Sequence, residues 1–149
     1  MKSVLRMLVL TLLVMPFLAG CASKGDIQEV MLPLAVVRKI VMDNVPGGVM
    51  KQSQNGREIT GHYVETKNLD QPNDRARERA QATITILGSR RPYVLMVRVE
   101  TEKRTRGSKR RYDKLGNDEK LAKEVVKRLK EALANRPADI NIVDEFRAF

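Results

Sequence analysis

Seven of the twelve residues from Lys103 to Lys114 are basic: Lys103, Arg104, Arg106, Lys109, Arg110, Arg111 and Lys114, against the single acid Asp113. Guanidinium and ammonium groups at this density suit one kind of chemistry, the binding of anions through charge-assisted hydrogen bonds to phosphate or carboxylate oxygens. Like charges repel one another, and Gly107-Ser108 offers nothing to hold a regular element, so the segment is expected to be a mobile loop between a strand and the last helix. The competing reading of the same residues is a solvated, solubilising loop with no ligand. Arg90 and Arg91 fall at the other end of the preceding strand and are expected to form a separate patch.

Other chemistry finds few candidates. A Ser or Cys nucleophile needs a base within hydrogen-bond reach, and His62 is the only histidine and Cys21 the only cysteine. A structural zinc site needs roughly four Cys or His ligands, and a calcium loop needs closely spaced acids with a glycine turn. Neither pattern is present, so no metal or cofactor is expected. Glu100 and Glu102 would share one face of a strand, but Arg98 and Lys103 lie beside them, which predicts an exposed salt-bridge ladder in place of a catalytic carboxylate pair. Pro46-Gly47-Gly48 ends a helix and cannot act as a phosphate-binding loop that starts one. The expectation is a non-enzyme.

The chain has 149 residues, 28 Lys+Arg against 18 Asp+Glu, and a net charge of +10. This length suits a single domain. One cysteine excludes a disulfide scaffold, and the lack of repeated long apolar stretches excludes a polytopic membrane protein. Lys2 and Arg6 precede an almost unbroken apolar run from Met7 to Leu18, which has the anatomy of a secretory signal. Its twelve residues would span about 18 Å as a helix, against a bilayer core of about 30 Å, so a permanent membrane span is disfavoured. The run ends in Leu18-Ala19-Gly20-Cys21.

That tetrad resembles the lipobox of bacterial lipoproteins, a resemblance confined to residues 1–22. It implies signal cleavage between Gly20 and Cys21, a diacylglycerol on the Cys21 thiol and a further acyl chain on its freed amine. Ala22 in the next position implies export to the outer membrane, as in enteric bacteria, with the domain facing the periplasm. The chain is then divided into a signal peptide at 1–20, the lipidated cysteine with a short tether at 21–25, and a domain at 26–149. Ala22, Ser23, Lys24 and Gly25 reach about 14 Å when fully extended, which keeps the domain close to the lipid.

The domain reads as α+β. Asp26 and Glu29 form a capping-box-like start, and Ile27, Val30, Met31, Leu34, Val37 and Val41 recur at helical spacing. Pro33 either kinks this helix or opens a second one after a short turn. Strands at 49–54 and 57–66 are expected to flank the Asn55-Gly56 turn, with a polar connection at Gln71-Pro72-Asn73-Asp74. Ala80, Ala82, Ile84 and Ile86 alternate with polar residues in a third strand. After a turn at 88–92, Tyr93, Leu95, Val97 and Val99 do the same in a fourth. Asn117 is expected to cap a last helix with Leu121, Val125 and Leu129 on its buried stripe, and Asn135 and Pro137 to stop it. Beyond it, Ile140 and Ile142 suit a short edge strand or clasp, followed by Phe146 and Phe149. The architecture expected is an antiparallel sheet of about four strands with two helices packed on one face, in the order helix, two hairpins, helix.

These readings converge on a non-catalytic, membrane-anchored envelope lipoprotein, an accessory or assembly factor. Its partners would be the membrane, through acylated Cys21, and an anionic lipid, lipopolysaccharide or acidic envelope protein, through the basic loop. The alternative is a purely structural lipoprotein. The element order, with Gly107-Ser108-Lys109-Arg110 ahead of Leu121-Ala122-Lys123, also resembles a double-stranded-RNA-binding domain. The basic run, however, precedes the last helix instead of lying on its first turn, and an exported protein does not ordinarily meet RNA, so no nucleic acid is expected.

Overall fold

The computed structural model describes residues 26–135. The signal, Gly20, Cys21 and the tether lie outside the described residues, as do Ile140, Ile142, Phe146 and Phe149. In chain order the elements are β1 (Asp26–Val30), α1 (Leu34–Asn44), β2 (Val49–Gln52), β3 (Glu58–Gly61), β4 (Val64–Glu65), β5 (Asn68–Pro72), β6 (Glu78–Leu87), β7 (Tyr93–Arg104), β8 (Tyr112–Asn117) and α2 (Glu119–Ala134).

The long β6–β7 hairpin forms the spine of the sheet, paired without interruption from Glu78↔Lys103 to Leu87↔Val94. Its alternation is the expected one: Ala80, Ala82, Ile84 and Ile86 on β6, and Tyr93, Leu95, Val97 and Val99 on β7, are buried. α1 and α2 cover this face. Val37 and Val41 from α1 and Leu121, Val125 and Leu129 from α2 join the strand residues in one apolar cluster. The opposite face, with Thr83, Thr85, Met96 and Arg98, is left half-buried or exposed. The α+β class and the two helices on one face are therefore as expected.

The sheet is larger than the four strands read from the pattern. Among the described residues it has eight, with β1-β7-β6-β3-β2 as its main path, β4 attached beside β6 and carrying β5 on its other side, and β8 beside β7. Three differences account for the excess.

The first is at Asp26–Val30, which is a strand antiparallel to β7 and not the start of a helix. The three-residue spacing of Ile27 and Val30 that suggests a helix is produced by a bulge. The register shifts between them, Glu29 takes a φ of 60°, and both apolar side chains then face the core. The helix begins only after Pro33, whose carbonyl accepts from Val37 N.

The second difference lies in residues 62–72. The strand expected at 57–66 breaks after Gly61, and the polar connection expected at Gln71–Asp74 overlaps a short hairpin, β4–β5. Each of these strands buries one apolar side chain, Val64 or Leu69, too short a pattern to read as alternation.

The third is the basic segment. It is an ordered β-hairpin: β7 continues to Arg104, and β8 returns beside it from Arg104↔Tyr112 to Glu100↔Asn117. Asp118, not Asn117, then caps α2, its side chain accepting from Lys120 N and Leu121 N at 2.9 and 3.0 Å.

Candidate functional site

Backbone bonds and one serine hold the turn of the basic hairpin. Thr105 N donates to Arg111 O at 2.9 Å, and Ser108 N to Thr105 O at 3.1 Å. Ser108 Oγ accepts from Arg110 N and Arg111 N at 3.3 and 3.0 Å. Gly107 supplies the left-handed position, with φ 82°. These bonds replace the mobile loop of the sequence reading. Repulsion among the cations does not open the turn, because their charged ends extend into solvent while the backbone groups pair.

The base of the hairpin is clamped to the rest of the sheet by a cluster that the sequence reading missed. Arg79 of β6 lies between two rings, its guanidinium carbon 3.8 Å from the Tyr63 centroid and 3.6 Å from that of Tyr112. Its Nε and Nη2 both donate to Glu102 Oε2, at 3.0 and 2.8 Å, and its Nη1 donates to Asp74 O at 3.0 Å. Tyr112 Oη lies 3.1 Å from Asp74 O and 3.0 Å from Ala76 O, either of which can accept its proton, and it accepts from Arg104 at 3.3 Å. Burial, followed by the nearby Glu102 carboxylate, holds the Tyr63 phenol above its ordinary value.

This corrects the expected salt-bridge ladder at Glu100 and Glu102. The Glu102 side chain is only 12% exposed and pairs across the strands with Arg79, whereas Glu100 is exposed and faces Lys114 at 4.0 Å. Lys103 pairs with Glu78 at 2.7 Å, and its hydrogen bond and charge hold that carboxyl below the usual carboxylate range. Arg98 forms no ion pair among the described residues.

The seven predicted anion-binding residues therefore fall into two groups. Lys103, Arg104 and Lys114 on the paired strands face Glu78, Tyr112 and Glu100, respectively. Arg106, Lys109, Arg110 and Arg111 crown the turn, exposed, and their side chains meet no acid or hydrogen-bond acceptor among the described residues. Packing adds two cations to the same end of the sheet, Arg75 and Arg77 on the β5–β6 connection, both exposed. Arg104 N donates to Arg77 O at 2.8 Å, which fixes that connection against the hairpin. The Arg75-Ala76-Arg77-Glu78-Arg79 alternation was the available signal, and it needed the strand pairing to show which residues share a face. Arg90 and Arg91 are exposed at the opposite end of β7, a separate patch as expected.

His62 is half-buried. Among the described residues no group of three or more His, Cys, Asp or Glu side chains could hold a metal ion, and no helix is long and apolar enough to cross a membrane. What the hairpin end offers chemically is a set of solvent-facing cations on a rigid mount. Comparison with protein-family models, with curated proteins and with solved structures finds no match to the chain.

Proposed function

We propose that the protein is a non-catalytic, membrane-anchored envelope lipoprotein that contacts an anionic partner through the tip of the β7–β8 hairpin. The observation that carries this reading is the contrast between the cations on the hairpin's strands, which face groups of the domain itself, and the four at its tip, which meet no acid or acceptor among the described residues. A cation already paired within the protein has little left to offer a ligand. One held out on an ordered turn has most of its attraction available, and near an anionic surface each such residue contributes about 1 kcal/mol. The acyl chains expected on Cys21 support the reading, since two or three together hold a protein stably at a bilayer where one does not.

The test separates the tip from the fold. Changing Arg106, Lys109, Arg110 and Arg111 together to Ser should shift unfolding stability by less than about 0.5 kcal/mol, because exposed charges contribute little. Binding of the unacylated protein to phosphatidylglycerol vesicles or lipopolysaccharide should weaken by at least about tenfold. Wild-type binding should also fall steeply between low and physiological salt, where the screening length shortens to about 8 Å. Equal, salt-insensitive binding by the two proteins would show the hairpin tip to be a solubilising surface. Separately, Cys21→Ser should abolish incorporation of labelled palmitate and move the chain out of the membrane fraction. Unchanged labelling would overturn the anchor.

A further inference from the structure

One edge of the domain carries features that the hairpin tip alone does not explain. β1 and β8 lie along the same edge of β7, β1 against Tyr93–Met96 and β8 against Glu100–Arg104, while β6 occupies the other edge. Because β1 runs antiparallel to β7, its first residue, Asp26, is the end nearest β8. The chain therefore enters the sheet from the side on which the basic hairpin stands.

α2 adds a second row of cations to this edge. Its buried stripe of Leu121, Val125 and Leu129 faces the sheet. One flank turns toward β5, where Arg128 bonds Asp70. The other turns toward β1, where Lys130 and Leu133 line an open groove with Ile27, Glu29, Val30 and Met31. Lys123 and Lys130 are seven residues apart and so lie on the same flank, with Lys127 one step further toward solvent. All three are exposed; Lys127 has Glu131 at 4.0 Å, and Lys130 shares its groove with Glu29. Two large apolar side chains protrude along the same edge, Met31 at 65% exposure and Leu115 of β8 at 61%. Glu29, Asp113, Glu119, Glu124 and Glu131 are the exposed acids on β1, β8 and α2.

We infer that this edge, from the hairpin tip to the lysine flank of α2, lies on the phospholipid headgroups of the leaflet that holds the anchor. The inference rests on the lipoprotein reading above and names lipid phosphate as the partner. The tether is the geometric argument. Five Cα steps separate Cys21 from Asp26 and reach about 17 Å, whereas β7 runs about 27 Å from Met96 to Arg104. The tether confines the Asp26 end of this edge to within about 17 Å of the lipid, roughly two screening lengths of the headgroup charge. β2, at the other end of the sheet path, stands about 19 Å further away across four strand spacings. Lysines and arginines around a protruding leucine match an interface with phosphate above and acyl chain below.

The test uses the full acylated chain in phosphatidylcholine vesicles made with and without phosphatidylglycerol. A fluorophore is placed through Asn117→Cys on β8 or through Met50→Cys on β2, the Cys21 thiol being blocked by its lipid. Quenching by headgroup-spin-labelled lipid should be roughly threefold stronger at position 117 than at position 50 when phosphatidylglycerol is present. Changing Lys123, Lys127 and Lys130 to Glu should abolish that difference, with unfolding stability measured alongside to confirm an intact fold. Equal quenching at the two positions, or the same difference in neutral vesicles, with the chain still in the membrane fraction, would overturn this orientation and leave the anchor standing. Loss of the labelled wild-type chain from the membrane fraction would overturn both.

Discussion

Arg79→Met should cost the domain about 3–5 kcal/mol in denaturant unfolding, because it leaves the nearly buried Glu102 carboxylate without its cation. Two further losses accompany it. The Tyr63 and Tyr112 rings lose the guanidinium stacked between them, and Asp74 O loses a donor. Pairing Arg79→Met with Glu102→Leu should recover much of the stability, since replacing both members of a buried ion pair by apolar side chains of similar size is often close to neutral. A loss below about 1 kcal/mol for Arg79→Met alone would mean that solvent screens the pair far more than its burial indicates. The same cluster sets an alkaline limit. The Tyr63 phenol is held above its ordinary value in the folded state, so the folded chain retains that proton when the unfolded chain has lost it. Stability should therefore fall as pH rises from the ordinary phenol value toward the raised one, and Tyr63→Phe should remove that part of the loss.

Leu129→Ala should cost about 2–5 kcal/mol. Leu129 is completely buried in the middle of the α2 stripe and shares the apolar cluster with Leu95, Val97 and Val99 of β7. Removing its branched end leaves a cavity whose walls are a helix and a long, continuously paired strand, neither of which can collapse easily into the space. Equilibrium unfolding in urea, with an unchanged slope against denaturant, would show that the effect is on the folded state. A loss below about 0.5 kcal/mol would contradict the packing of α2 on β7.

Where an alternation or a helical stripe runs on over several residues, the amino-acid sequence alone was enough to place the element. The alternation of Ala80 to Ile86 and of Tyr93 to Val99 marks β6 and β7, and the stripe of Leu121, Val125 and Leu129 marks α2. Asn55-Gly56 marks a turn, with Gly56 at φ 64°. The density of cations from Lys103 to Lys114 identifies the region suited to anion contact, and the segment around Cys21 supplies the expectation of an anchor.

The tertiary structure decided which of those cations face solvent at the hairpin tip and how the strands around the spine are completed. β8 is exposed along nearly all its length and has no apolar alternation to detect. β1 mimics a helix until its bulge is seen against β7. Tyr63, Arg79 and Tyr112 come from three separate stretches of chain and meet only because β4, β6, β7 and β8 are laid side by side. For the two edge strands the physical reason is the same. Edge strands are held by backbone N–H and C=O groups, which nearly every residue carries alike, so the side-chain pattern leaves no mark of where they will pair.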